Sequence, residues 1–219
     1  MSTVRQERRN RKADIISCFA ELVAERGYDA VSLRDVAEAL EMSKGTILHH
    51  FRSKDRLLEQ VHSDYMKRRL AEAHAFLAEL DSPTDQVRAL VYQLIYAQAE
   101  DRAATVAFAR EIVRFASEEV MADVRRMRDE YTALMRDAIA RGIQRGQFGD
   151  VDPAIVSLQI FGMCNWSWTW YRPEGAWSAD DIAESFTGVL FRGLAANRRL
   201  RPNPAVPDLV HATMERGGE

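Results

Sequence analysis

The first 82 residues contain no proline and only two glycines, Gly27 and Gly45. A β-sandwich or barrel needs turn-forming residues roughly every 8–12 positions, and this stretch cannot supply them. The shortage persists along the 219-residue chain, which holds 11 Gly and 6 Pro. An all-α fold is therefore expected. The hydrophobic share of 47% against 29% charged residues excludes a disordered chain. The length suits one domain or two small ones.

Between Arg8 and Arg26 the apolar residues Ile15, Ile16, Phe19, Leu22 and Val23 recur at helical spacing. Gly27 then falls where a left-handed residue closes a helix. Ser32-Leu-Arg-Asp35 reads as an N-cap with an acid at its third helical position. It opens a short helix, Leu33–Leu40, with Leu33, Val36, Ala37 and Leu40 on one face. Ser43 caps a second short helix, Lys44–Phe51, and Ser53 opens a longer one reaching about Leu80. Two short helices joined by a turn of about 3–4 residues form a helix-turn-helix. Past the break at Asp81-Ser-Pro-Thr84 the pattern predicts helices around Val87–Ile95, Ala104–Phe115, Val120–Ala138, Pro153–Trp170 and Ala179–Asn197. The expected organisation is a three-helix DNA-binding domain over 1–55, a helical-bundle domain for ligand binding and dimerisation over 56–200, and a frayed tail over 201–219.

Only Cys18 and Cys164 are present, so neither a disulfide framework nor a Cys-rich zinc module can be built. Pro153 to Tyr171 runs 19 residues without a charge. Ser157, Gln159, Asn165, Ser167 and Thr169 interrupt it, and a buried helix fits better than a membrane span. With no secretory signal pattern at the N-terminus, a cytoplasmic location is expected. The five histidines are scattered, and no phosphate loop, His-Glu-x-x-His or Gly-x-Ser-x-Gly motif occurs, which argues against catalysis, a metal site or a bound cofactor. The net charge of −3 points to no particular partner. Its distribution is more telling: Arg5, Arg8, Arg9, Arg11 and Lys12 face only Glu7 in the first twelve residues. Such an arm can touch phosphates.

The segment Glu41-Met-Ser-Lys-Gly-Thr-Ile-Leu-His-His-Phe-Arg-Ser-Lys-Asp-Arg-Leu-Leu58, with Ala20–Ala37 before it, resembles the DNA-binding region of TetR-family transcriptional regulators. The resemblance implies a helix-turn-helix that reads double-stranded operator DNA, with Lys44–Phe51 as recognition helix. The N-terminus of such a helix enters the major groove. Ser43, Lys44, Gly45 and Thr46 bring hydroxyls, a cation and a missing Cβ to that point, and Thr46 can address a base edge. Ser32 and Arg34 flank them on the preceding helix. Lys44 is placed for phosphate, as is Lys54 at the next helix start. The family usually carries Tyr where Leu48 stands, so one phosphate-binding hydroxyl is missing, and His49 is the neighbour that can replace it.

All four tryptophans lie between Trp166 and Trp177, and Trp170-Tyr-Arg-Pro-Glu-Gly175 resembles a stretch of TetR-type repressors that answer acyl-CoA thioesters in lipid or sterol catabolism. The implied effector joins an apolar acyl group to an anionic head. Phe108, Met127, Tyr131, Phe161, Asn165 and Trp168 are expected to line its pocket, with Arg110 and Arg114 supplying charge. A multidrug-type regulator for aromatic or cationic compounds is the alternative.

A homodimer is expected. Trp166 and Trp170, placed on one face of an over-hydrophobic helix, would form its interface with Ile182, Phe186, Val189, Leu190 and Gly193. Two recognition helices would then lie about 34 Å apart, one DNA turn. The expected response is release of a repressor from its operator by the effector.

Overall fold

The structure, a computed structural model, describes residues 2–111 and 118–192, with side chains from Asn10 onward. Its helices are α1 (Ser2–Arg26), α2 (Leu33–Ala39), α3 (Lys44–Phe51), α4 (Lys54–Glu79), α5 (Pro83–Glu100), α6 (Arg102–Glu111), α7 (Ala122–Gln144), α8 (Pro153–Trp166) and α9 (Ala179–Arg192). Single 3-10 turns at Glu119–Met121 and Ser167–Thr169 complete the order. Among the described residues there is no strand, and no helix is long and apolar enough to cross a membrane. The expected tail, Arg114 and Gly193 lie outside the described residues.

The caps explain the boundaries. Ser32 and Asp35 form a reciprocal capping box at α2, Ser32 Oγ accepting from Asp35 N at 3.2 Å and Ser32 N donating to Asp35 Oδ2 at 2.6 Å. Ser43 Oγ accepts from Thr46 N at 3.1 Å to start α3, and Ser53 Oγ from Arg56 N at 3.2 Å to start α4. Between α2 and α3 the chain turns on Glu41, held at φ 52°. Met42 N donates back to Ala37 O at 2.8 Å and Glu41 N to Glu38 O at 3.2 Å, the paired bonds of a Schellman closure. Helix α1 begins at Ser2 rather than Arg8, because no proline or glycine interrupts residues 2–26.

Two expectations about the tryptophan segment need correction. Helix α8 stops at Trp166, not Trp170. Ser167 Oγ bonds back to Cys164 O at 2.6 Å, Trp170 N reaches Ser167 O at 3.1 Å, and the backbone tightens into a 3-10 turn. Trp166 and Trp170 therefore do not share one helix face. The chain then leaves through Arg172-Pro173, where proline opposes the helical conformation in the residue before it.

Two compact units are distinguished, residues 1–186 and 187–219. Of the second, only the last turns of α9 are described. In the first, α4, α5 and α7 pack as a trio, α8 lies on α7 and α5, and α1 lies on α4 and α6. Leu57, Leu58, Leu90, Ile95, Met135, Ile139 and Ile160 are fully buried at the centre. α1–α3 and the long helices thus belong to one compact body through Phe186.

Candidate nucleic-acid interface and effector site

Helix α3 is short, and its two buried side chains, Ile47 and Phe51, fasten it to the head formed by α1–α3 and the start of α4. On its outer side Lys44, Gly45, Leu48 and His49 are exposed, followed by Arg52 at the left-handed C-cap, φ 63°. Steps of three and four residues put these positions in one patch. A Cβ built on Gly45 would meet only Ser43 Oγ, at 3.5 Å, an ordinary contact. The fold itself does not require this glycine, although glycine costs about 1 kcal/mol in a helix relative to alanine. A close approach from outside gives it a reason.

Several expected DNA contacts have internal partners. Thr46 Oγ1 and Ser43 Oγ hydrogen-bond to each other at 2.9 Å. Arg34 Nε donates to Glu38 Oε1 at 2.7 Å, and Lys54 Nζ stands 3.9 Å from the Tyr28 ring centroid. Ser32 is engaged in its capping box. His49 is exposed, its ring 5.6 Å from that of His50, and His50 lies against Phe51. Lys44 and Leu48 stand out on the exposed patch.

Behind the head, the end of α6 holds the end of α1. Arg110 Nη1 donates to Ala24 O at 3.0 Å, and Glu111, buried, accepts from Tyr28 N at 2.9 Å. Gly27 sits between them at φ 82°, where a Cβ would press on Arg110 Nη2 at 3.1 Å. Tyr28 carries Lys54 over its ring and donates its hydroxyl to Asp55, so it touches the first turn of α4 directly after α3. On the far side, the Arg110 guanidinium lies 5.8 Å from the Trp168 ring. Trp168 borders a cavity of about 460 Å³ with Glu21, Glu25, Arg102 and Arg172.

The expected effector residues divide into groups. Phe108 packs against His62 and Tyr65, with ring centroids 5.2 and 4.9 Å apart, and Tyr131 lies 6.1 Å from Phe161. Tyr131 and Phe161 belong to the α4–α5–α7–α8 interior, whereas Phe108 comes from α6 and meets α4. Met127 on α7 is half-buried. Arg110 and Trp168 instead form the α1–α6 junction, where the α8 break leaves Trp168. Asn165 is exposed beside Trp166 on the outer side of α8 and does not line the interior. Ile182 is only 5% exposed within the single chain, so it offers no surface to a partner. Phe186 is half-buried, its ring 6.3 Å from Trp170. Ile155, Leu158, Trp166, Trp170 and Val189 are exposed, and Leu190 is half-buried.

Sequence reasoning missed the polar row inside α4 and α5. His62, Tyr65, Arg69, Gln93 and Gln98 are all buried. Both His62 ring nitrogens, Arg69 Nε and Gln98 Oε1 lack a well-aligned partner while shielded from solvent. Gln93 Nε2 donates to Arg69 O and Glu72 Oε2, and Gln93 Oε1 accepts from Tyr131 OH, each at 2.8 Å. Burial drives the His62 pKa down to about 4, against a backbone interaction with Ala107 that favours the charged form. Burial likewise raises Tyr65, Tyr131 and the Asp101 carboxyl, the last opposed by Arg68 and Arg69. Arg69 and Gln93 also line a groove of about 570 Å³ between α4 and α5, with Phe76, Leu80, Tyr92 and Tyr96. The available signal was a charged residue on the apolar stripe of α4, with Arg69 between Met66 and Leu70. Chemically the row offers donors and acceptors for a polar group, next to aromatic walls.

Comparison with known proteins matches this architecture. Residues 15–61 match the family model described as bacterial regulatory proteins, tetR family, and residues 80–194 match the tetracyclin repressor-like C-terminal domain. The HTH-type transcriptional repressor KstR2 of Rhodococcus jostii (strain RHA1) is 26% identical over 191 residues, covering 85% of this chain and 92% of its own. KstR2 of Mycobacterium tuberculosis superimposes with a TM-score of 0.79 at 23% identity, over 85% of this chain and 96% of that one. AibR, in a crystal structure with isovaleryl coenzyme A and operator DNA, gives 0.77 at 24%, over 83% and 98%. PfmR of Thermus thermophilus gives 0.76 at 29% identity, again over 83% and 98%. The likenesses to the KstR2 and AibR structures speak for the fold alone, but the family models together span both parts of the chain. With a capped helix-turn-helix at one end and a helical body behind it, this chain belongs to the TetR family of bacterial regulatory proteins.

Proposed function

We propose that this chain is a homodimeric repressor that binds operator DNA in the cytoplasm through α3 and releases it when a coenzyme A thioester occupies the α4–α5–α7–α8 interior. The observation that carries the effector reading is the row of buried polar atoms on His62, Arg69 and Gln98 that lack a well-aligned partner beside aromatic walls. Native interiors leave few such atoms unmet, and a ligand with polar groups next to an apolar chain would meet them. Similarity to KstR2 and AibR supports the thioester class, since AibR was crystallised with isovaleryl coenzyme A. The exposed Ile155, Leu158 and Trp166 of α8 support pairing of two chains through that helix. The proposed domain division remains 1–55 for DNA and 56–200 for effector and dimer.

Titration of the intrinsic tryptophan fluorescence tests the effector class. A panel of short- and long-chain acyl coenzyme A esters is expected to quench saturably, while cationic dyes are not. Saturable quenching by the dyes alone would favour the multidrug reading and overturn this one.

A further inference from the structure

We propose that Leu48 reads the C5-methyl group of a pyrimidine in each operator half-site, so that operator choice rests partly on a methyl contact. The inference builds on the DNA-reading role given to α3 above. Leu48 is 39% exposed near the middle of the α3 patch, in one row with Lys44 before it and Arg52 after it. A face edged by cations suits a polyanion, and at a position between those cations a side chain that cannot bind phosphate is left with the base edges. An isobutyl group there has no polar partner to offer. The apolar group that duplex DNA projects into the major groove is the C5-methyl of thymine, and 5-methylcytosine carries the same group at the same place.

The surroundings strengthen the assignment. Gly45, one turn earlier, has open space around the missing Cβ apart from Ser43 Oγ at 3.5 Å, so α3 can sit deep enough for a short side chain to reach a base. The hydroxyls that would otherwise read that edge, Ser43 and Thr46, are tied to each other at 2.9 Å. Leucine has no hydroxyl to give a phosphate, which leaves the position to apolar contact.

The test begins with the full-length protein selecting an operator from a randomised duplex library. Each thymine is then replaced by deoxyuridine, which removes only the methyl group. One position per half-site is expected to lose about fourfold in affinity, the value of one buried carbon. Cytosine placed at that position should bind more tightly when 5-methylated. Leu48→Ala, at an exposed site, is expected to fold normally and bind the thymine and uracil operators equally. An operator indifferent to every thymine-to-uracil change, or a methyl preference retained in Leu48→Ala, overturns the role of Leu48 alone. Failure to select any operator overturns the DNA-reading role and this inference with it.

Discussion

Two residues show how chemistry, rather than fold, decides what stands at a position. Gly45→Ala removes a conformationally costly residue from α3, and nothing in the chain obstructs the new methyl. It should raise stability by about 0.5–1 kcal/mol in a urea melt while weakening operator binding in a gel-shift titration. Unchanged DNA affinity would show that the glycine serves no close approach. His62 makes the second case. Its folded-state pKa of about 4 lies below the ordinary 6.5, so the unfolded chain takes up a proton first as pH falls. The stability is fully present above pH 6.5 and is lost between 6.5 and 4, at about 1.4 kcal/mol per unit at most. His62→Leu, of similar volume, should flatten that loss when urea melts at about pH 7 and about pH 5 are compared. An unaltered slope would place the acid sensitivity elsewhere. Only the first was legible beforehand: the missing Cβ of Gly45 could be read from the motif, whereas His62 looked like one of five scattered histidines.

At the scale of elements, what could be read in the sequence was what is local. Ser32, Ser43 and Ser53 announced α2, α3 and α4 because each cap satisfies its own first turn. The end of α8 escaped because it turns on one serine hydroxyl bonding back to Cys164 O, and apolar periodicity continues past it. The clamp of α6 on α1 escaped for another reason. Arg110 and Glu111 reach Ala24 and Tyr28 across more than eighty residues, and no spacing rule connects them. That clamp has a consequence for signalling. Trp168, Arg110 and Gly27-Tyr28 form a continuous contact from the α8 end to Lys54 and Asp55. Arg110→Ala should leave operator and effector affinities within about threefold when each is measured alone, yet reduce their mutual coupling. Coupling equal to that of the unaltered protein would exclude this route.

For the whole molecule, the motif indicated the helix-turn-helix and the scarcity of turn formers the all-helical class, while the proposed effector site depended on packing that brings α4, α5, α7 and α8 together. Phe108, Tyr131 and Phe161 were identifiable as aromatic positions on helical stripes. Their buried companions Arg69, Gln93 and Gln98 sit at positions where a sequence pattern expects apolar side chains. The exposed apolar residues of α8 make a dimer the expected species, which sedimentation at micromolar concentration checks; a monomer with and without DNA would contradict it. A regulator of this design must bind its effector with different strength in its DNA-bound and free forms, because a ligand shifts an equilibrium only by its differential affinity. The coupling is reciprocal. The most direct measurement is therefore the affinity of the strongest-quenching coenzyme A thioester with and without saturating operator DNA. The account predicts that DNA weakens it by about 5- to 150-fold, the usual 1–3 kcal/mol of allosteric coupling; equal affinity in the two states, or tighter binding on DNA, would contradict it.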